Sequence, residues 1–177
     1  METQSLNKKL DKMCRSCKAV GVNVALFDSK GILYNYNYGF ANREAGIKSD
    51  GDSLYMIGSN TKVLTALGIL KLMEMGKLSL EDDVKMHIPE FAVKSYFDYE
   101  KITIENLLMH RSGLVSDLFH LILDNTRDYH EVIPELGKTY LTAEPGKMFS
   151  YSNVGYTVLG IIIERASGNY NYCNQCK

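Results

Sequence analysis

The sequence has 177 residues, a formal net charge of -1 and 45% hydrophobic residues, which suits a soluble globular protein with one sizeable core. It contains no basic block and no apolar run of about 18 residues, so we expect neither a nucleic-acid partner nor a membrane span. Residues 1–18 lack the apolar segment of a signal peptide, which predicts a cytoplasmic location.

The N-terminal part predicts a helix followed by a β-hairpin. Apolar residues recur at helical spacing within residues 3–18, which indicates a surface helix. Residues 21–27 and 32–38 have the alternating pattern of strands, and Asp28-Ser29-Lys30-Gly31 between them is a typical turn sequence. A polar connector is expected to continue to residue 58.

The segment that follows predicts a helix buried in the core. Residues 63–70 are apolar on nearly every side, a pattern typical of helices with protein on all faces. We expect this helix to begin at Ser59 and to end at Gly76, because glycine readily adopts the left-handed conformation of a C-cap. Residues 80–91 predict a loop across the surface.

The C-terminal half predicts further helices. A short helix is expected after Thr103 as its N-cap, another stretch around residues 118–123, and a second apolar helix over residues 149–166 that stops at Gly168. One hairpin is too little sheet to cover this much apolar helix, since a two-stranded hairpin is marginal by itself.

The segment Ser59-Asn60-Thr61-Lys62 combines a hydroxyl and an amine one helical turn apart, so the two groups share a face. A serine becomes a nucleophile when a neighbouring base takes its proton, and a lysine with a lowered pKa can be that base. The start of a helix also favours a developing negative charge. The spacing alone is a weak signal, because it recurs at Ser5-Leu6-Asn7-Lys8 in a polar stretch.

A second candidate segment is Tyr151-Ser152-Asn153, which follows Pro145-Gly146 and precedes the second apolar helix. The alternative interpretation is that Tyr151 and Asn153 only cap that helix. Tyr-x-Asn also occurs at residues 172–174, so its context is what favours a functional role.

Together these segments resemble the serine beta-lactamase and penicillin-binding-protein-like hydrolases, closest to the class C-like branch. The similar segments occur in the family's order: the nucleophile segment, the connector, a structural signature and the Tyr-x-Asn segment, at residues 54–62, 76–84, 102–114 and 145–156. The resemblance spans roughly residues 20–170. It implies an α+β, beta-lactamase/transpeptidase-like fold with a helical subdomain and an N-terminal hairpin.

The resemblance also implies residue roles. Ser59 would be the acylated nucleophile and Lys62 its proton-accepting neighbour, with Tyr151 as the second member of the proton relay. Asn153 would bind the substrate amide and orient Lys62, whereas His110 would belong to a structural turn. The implied substrate is a small molecule or peptide with a carbonyl centre, and no cofactor is implied; lactams, D-amino-acid peptides and simple esters stay open.

One departure from the family concerns its third motif. No Lys-Thr-Gly or His-x-Gly sequence follows Asn153, although the family carries one on a strand that supplies the second oxyanion donor. We therefore expect a single partial domain over residues 1–177 that lacks the C-terminal strands of the sheet and is weak or inactive as a hydrolase. The alternative is a non-catalytic fragment or binding module whose exposed apolar surface promotes self-association.

The domain is expected to comprise four parts: an N-terminal helix, the hairpin and connector, a mostly helical part and an atypical cysteine-containing tail, at 1–18, 19–58, 59–168 and 169–177. The pairs Cys14/Cys17 and Cys173/Cys176 could bind zinc if the termini met, but free thiols in a reducing compartment are favoured and no metal is expected. The remaining histidines are expected to be isolated surface or turn residues: His87, His120 and His130.

Overall fold

The computed structural model describes residues 2–118 and 128–168, and the chain divides into two units, Met1–Met56 and Ile57–Lys177. The helix predicted around residues 118–123 falls almost wholly outside the described residues, as do His120 and the tail from residue 169. No helix in the described part of the chain is both long and apolar enough to cross a membrane.

The first unit is a helix and a three-stranded antiparallel sheet in the order β1-β2-β3. Its elements are α1 (Glu2–Ser16), β1 (Gly21–Asp28), β2 (Gly31–Asn42) and β3 (Ile47–Lys48). The predicted helix and hairpin are confirmed, and the Asp28 carboxylate accepts hydrogen bonds from the N–H groups of Lys30 and Gly31 in the turn.

The prediction of a polar connector after the hairpin is partly wrong. Strand β2 continues to Asn42, and β3 pairs with it after a turn in which the Asn42 side chain accepts the Ala45 N–H at 2.9 Å and Gly46 has φ 69°. Strand β3 is exposed and only two residues long, so no apolar alternation marked it in the sequence.

Helix α1 contacts β2 through polar side chains. The Tyr36 hydroxyl donates to the Asp11 carboxylate at 2.8 Å, and the Tyr34 hydroxyl donates to Asn7 at 2.6 Å. Burial and the hydrogen bond to Asp11 raise the pKa of Tyr36, so this hydroxyl stays a donor throughout the physiological pH range.

The second unit is helical, with an apolar core around its last helix. Its elements are a 3-10 turn (Gly58–Asn60), α2 (Thr61–Glu74), α3 (Val84–His87), α4 (Ile104–Leu108), a 3-10 turn (Tyr129–Glu131), α5 (Val132–Leu136) and α6 (Asn153–Ser167). Helix α6 packs against α2, α3, α4 and α5, and most of its residues are buried. The predicted second apolar helix is therefore confirmed with its stop at Gly168 (φ 75°), but its predicted start at residue 149 is wrong, because the helix begins at Asn153 after the Ser152 cap.

The helix caps follow the sequence closely. Thr103 caps α4 as predicted: its hydroxyl accepts the Asn106 N–H, and the Asn106 side chain accepts the Thr103 N–H in return. Ser152 caps α6 by accepting the Gly155 N–H at 2.9 Å. Tyr151 and Asn153 are therefore not the capping residues of α6.

The loop predicted over residues 80–91 contains a helix, α3, so that prediction is wrong. The Asp83 carboxylate accepts the Lys85 N–H at 3.0 Å and caps α3, while Val84 and Ile88 are fully buried. Four helical residues are too short to produce a periodic apolar pattern, which is why the sequence indicated a loop.

Two histidines predicted to be isolated have carboxylate partners. His87 Nε2 lies 2.9 Å from the Asp82 carboxylate. The ring nitrogens of His130 lie 2.7 Å from Asp128 and 3.0 Å from the Glu164 carboxylate, which is only 1% exposed. The Glu164 partner is 34 residues away in sequence, and only tertiary packing brings it to His130.

The prediction that the helix after Ser59 is buried on all sides is wrong. Ile69 and Leu72 of α2 are buried against the core, but Val63, Leu64 and Leu67 are more than half exposed. An all-apolar sequence shows that a helix can be covered on every side, whereas α6 covers only one side of α2 in the described residues.

Both ends of α2 lie close to where they were predicted. The α-helix begins at Thr61, because residues 58–60 form a 3-10 turn. It ends at Glu74 and is followed by Gly76 in the left-handed conformation, with φ 68°.

We expect Gly113→Ala to lower the free energy of unfolding by roughly 2 to 5 kcal/mol, from left-handed strain and overpacking together. Gly113 has φ 72°, and a Cβ there would lie 2.0 Å from the Ala143 carbonyl oxygen. Urea unfolding followed by circular dichroism measures the change.

The matched control is Gly76→Ala. Gly76 has a similar φ of 68°, but a Cβ there would meet no atom within 4 Å. We expect this variant to lose only roughly 1 to 2 kcal/mol, from the left-handed conformation alone. Equal losses in the two variants would contradict the steric explanation for Gly113.

Candidate active site

The second unit brings all four predicted site residues together. Ser59 Oγ lies 2.8 Å from Tyr151 Oη, within hydrogen-bonding distance. The Lys62 ammonium donates to Asn153 Oδ1 at 2.6 Å and to Ser59 Oγ at 3.4 Å. The hydroxyl, the ammonium and the phenol therefore form one hydrogen-bonded cluster, although more than 90 residues separate its two halves.

The start of α2 positions Ser59 and Lys62. Gly58, with φ 53°, is the first residue of the 3-10 turn that carries Ser59, and Lys62 lies three residues after Ser59 in the first turn of α2. This spacing places both side chains on one face. It also places the developing charge on Ser59 near the positive end of the helix dipole.

The loop that follows α4 holds the Tyr151 segment through backbone hydrogen bonds. The Ser150 N–H donates to the His110 carbonyl oxygen at 2.7 Å, and the Asn153 N–H donates to the Ser116 carbonyl oxygen at 2.9 Å. Because these hydrogen bonds lie on both sides of Tyr151, they fix the position of its backbone and the direction of its side chain.

His110 contacts the site directly, which the sequence did not predict. Its Nδ1 accepts the Ser152 N–H at 3.1 Å, and its ring centroid lies 4.5 Å from that of Tyr151 and 4.9 Å from that of Tyr156. Burial and the nearby Lys62 charge lower the pKa of His110. His110 is therefore neutral at physiological pH, with its proton on Nε2, and it supports the Tyr151 ring from the side.

Lys62 determines the electrostatics of Tyr151. Hydrogen bonding from Lys62, and then from Ser59, lowers the pKa of Tyr151 below its ordinary value. The Lys62 ammonium also lies 4.8 Å from the centre of the Tyr151 ring. Tyr151 is 40% exposed, so the group whose phenolate is favoured is also open to an incoming molecule.

Asp117 is a further member of the cluster that sequence reasoning missed. Asn153 Nδ2 donates to Asp117 Oδ1 at 2.6 Å, and the Ser116 hydroxyl donates to Asp117 Oδ2 at 2.8 Å. Asp117 therefore fixes the Asn153 amide so that its oxygen faces Lys62. The signal in the sequence was a single charged residue in the segment Leu114-Val115-Ser116-Asp117-Leu118, which is otherwise uncharged.

The zinc interpretation of the cysteines is not tested by the described residues. Cys14 is buried and Cys17 is exposed, both as free thiols, whereas Cys173 and Cys176 lie outside the described part of the chain. Within residues 2–118 and 128–168, no group of three or more metal-ligating side chains comes together.

The geometry agrees with what sequence comparison shows. The Beta-lactamase family model matches residues 6–177. This chain belongs to the beta-lactamase family. Its fold is accordingly beta-lactamase/transpeptidase-like and α+β, as predicted, and its relatives are serine hydrolases.

The chain is similar to parts of longer proteins. It is 31% identical over 166 residues to protein flp of Staphylococcus aureus, which covers 93% of this chain and 33% of the relative. It is 35% identical over 144 residues to a Bacillus subtilis penicillin-binding protein, with 77% and 30% covered. The structure of the octameric penicillin-binding protein homologue from Pyrococcus abyssi matches with a TM-score of 0.79 at 29% identity, over 98% of this chain and 42% of that one. The chain thus spans less than half the length of each.

Proposed function

We propose that Ser59 is the nucleophile of an acyl-serine hydrolase that acts on an amide, ester or lactam carbonyl. The observation that carries this proposal is the 2.8 Å contact between Ser59 Oγ and Tyr151 Oη beside the Lys62 ammonium. A nucleophile in contact with a tyrosine of lowered pKa is the arrangement that serine activation requires.

In the proposed first step, the Tyr151 phenolate takes the Ser59 proton while Oγ attacks the carbonyl carbon. The shorter distance favours Tyr151 over Lys62 as the immediate acceptor, 2.8 Å against 3.4 Å. The Lys62 ammonium stabilises the phenolate before proton transfer. Tyr151 then returns the proton to the leaving group, and the acyl group stays on Ser59.

In the second step, water takes the place of the leaving group. Tyr151 accepts a proton from the water, the water oxygen attacks the acyl carbon, and the proton returns to Ser59 Oγ as the acid departs. The Ser59 backbone N–H, at the start of the helix, would donate to the oxyanion in both steps. Asn153 would hold Lys62 and bind the substrate amide.

Incubation with a fluorophosphonate and with benzylpenicillin tests this function. We expect intact mass measurement to show one adduct, and peptide mapping to place it on Ser59. A fluorophosphonate adduct on any other serine, or no adduct with either probe, would contradict the proposal.

We propose further that these 177 residues, which form one partial domain of the family, acylate slowly. The proposal rests on the third motif, because no Lys-Thr-Gly or His-x-Gly sequence follows Asn153 in the sequence. Loss of one oxyanion donor costs on the order of 100- to 1000-fold in rate.

A second candidate function is a non-catalytic module that associates through α2. The supporting observation is the exposed apolar face of that helix, where Val63 is 61% and Leu67 is 56% exposed. The relative from Pyrococcus abyssi is described as octameric, which also favours association in this family.

If this association occurs, Leu67→Lys is expected to shift the chain towards the monomer, because a charge in the centre of the apolar face is costly to bury. Sedimentation velocity at several concentrations measures the shift. Met86→Lys is the control, since Met86 is also more than half exposed but lies on α3. A wild-type chain that is monomeric at all concentrations would contradict the association.

A further inference from the structure

Asp117 holds a negative charge beside the site, and in the part of the chain that the structure describes it has no cationic partner. Its two hydrogen bonds come from the Asn153 amide and the Ser116 hydroxyl, both of which are neutral. No lysine, arginine or histidine pairs with this carboxylate anywhere in residues 2–118 and 128–168.

The Asp117 carboxylate lies close enough to the proposed site to interact with a bound substrate. Asp117 is half-buried and is separated from the Lys62 ammonium by the Asn153 amide alone. Its influence already reaches Tyr151, where it opposes the effect of Lys62 by raising the pKa of the phenol. A partly desolvated carboxylate with two neutral donors gains further from a cation that hydrogen-bonds to it.

We propose that Asp117 makes this site select acyl groups that carry a protonated amine. The proposal rests on the acyl-serine function above, in which Asn153 binds the amide of the substrate. An amine next to that amide would lie on the Asp117 side of Asn153, opposite Lys62. The favoured class is therefore lactams, esters and amides whose acyl group carries an aminoacylamido side chain, so that one amide contacts Asn153 and the amine beside it faces Asp117.

A purely structural role for Asp117 makes a different prediction. If the carboxylate only orients Asn153, its loss weakens the hydrogen bond between Asn153 and Lys62. The acylation rate then falls by the same factor for every substrate. If its charge selects the substrate, its loss changes the ratio between substrates that differ only in the amine. The ratio separates the two roles.

The test compares ampicillin with benzylpenicillin, which lacks the side-chain amine but is otherwise the same. The rate of adduct formation on Ser59 is followed by intact mass at a pH where the amine is protonated. The 4-nitrophenyl esters of D-phenylglycylglycine and phenylacetylglycine present the same two side chains, with the same side-chain amide, without a lactam. In at least one pair, we expect the wild type to react roughly fivefold faster with the amine-bearing partner, after correction for spontaneous hydrolysis.

Asp117→Asn is the decisive variant, because its amide oxygen can still accept from Asn153 while the charge is lost. We expect the ratio to fall to about one in this variant. Asp98→Asn is the matched control: Asp98 is exposed, it lies elsewhere in the same unit, and its removal changes the net charge equally. The control should keep the wild-type ratio, and thermal melting checks that both variants are folded.

Two outcomes would overturn the proposal: an unchanged ratio in Asp117→Asn, or no preference for the amine in the wild type. Fluorophosphonate labelling distinguishes the reasons. If Ser59 is labelled but neither pair shows a preference, only the role of Asp117 is wrong. If Ser59 is not labelled, the assignment of Ser59 as the nucleophile is wrong, and the proposed selectivity of Asp117 is contradicted as well.

Discussion

Ser59→Ala is expected to abolish adduct formation by the fluorophosphonate and by penicillin, because within residues 2–118 and 128–168 the Ser59 hydroxyl is the one that hydrogen-bonds to Tyr151. Intact mass after long incubation measures the loss. Ser5→Ala is a matched control, since Ser5 and Lys8 have the same Ser-x-x-Lys spacing on the exposed helix α1.

We expect Ser5→Ala to react at the wild-type rate. Residual labelling of Ser59→Ala at the wild-type rate would contradict the proposed nucleophile. Loss of labelling in Ser5→Ala would show instead that the first unit contributes to the reaction.

Tyr151→Phe is expected to slow acylation by about 100- to 10,000-fold, the usual contribution of a positioned general base. The phenolate is the active form in our mechanism, so the wild-type rate should rise with pH. It should level off below pH 10, the ordinary pKa of tyrosine, because Lys62 and Ser59 lower the pKa of Tyr151. The pH dependence of labelling over pH 5 to 10 measures this limb.

In Tyr151→Phe, the labelling rate should be low and should no longer rise with pH. Tyr96→Phe is the control, because Tyr96 is an exposed tyrosine that stacks on Tyr140. A Tyr151→Phe variant that is slow but keeps the rising limb would contradict Tyr151 as the acceptor and would assign the proton to Lys62.

Local signals in the sequence predicted the elements that are stabilised by contacts between residues close in the chain. The hairpin turn, the Thr103 cap and the Gly168 stop depend on contacts within a few residues, and each is present as predicted. Helix α3 was missed because its stabilisation comes from buried Val84 and Ile88 and from a cap only two residues away. An element this short gives no periodic signal.

The residues of the candidate site also fall into those that local sequence patterns predict and those that only tertiary contacts bring to the site. Ser59 and Lys62 are one turn apart and could be paired from spacing alone, although the identical spacing at Ser5 and Lys8 lies on the exposed helix α1. Asp117 and the ring contact of His110 depend on how the loop after α4 lies along the Tyr151 segment. No short-range pattern predicts hydrogen bonds across 36 or more residues.

The sequence by itself determined the family, the hairpin and the two apolar helices, and it singled out Ser59, Lys62, Tyr151 and Asn153 as candidate site residues, because motifs and helix periodicity are local. The tertiary structure alone decided which face of α2 is buried, which hydroxyl lies closest to Ser59, and that the Asp117 carboxylate, which has no cationic partner among the described residues, lies beside Asn153. These properties depend on distances between segments that are remote in the chain, and distances of 2.6 to 3.4 Å decide which groups exchange a proton.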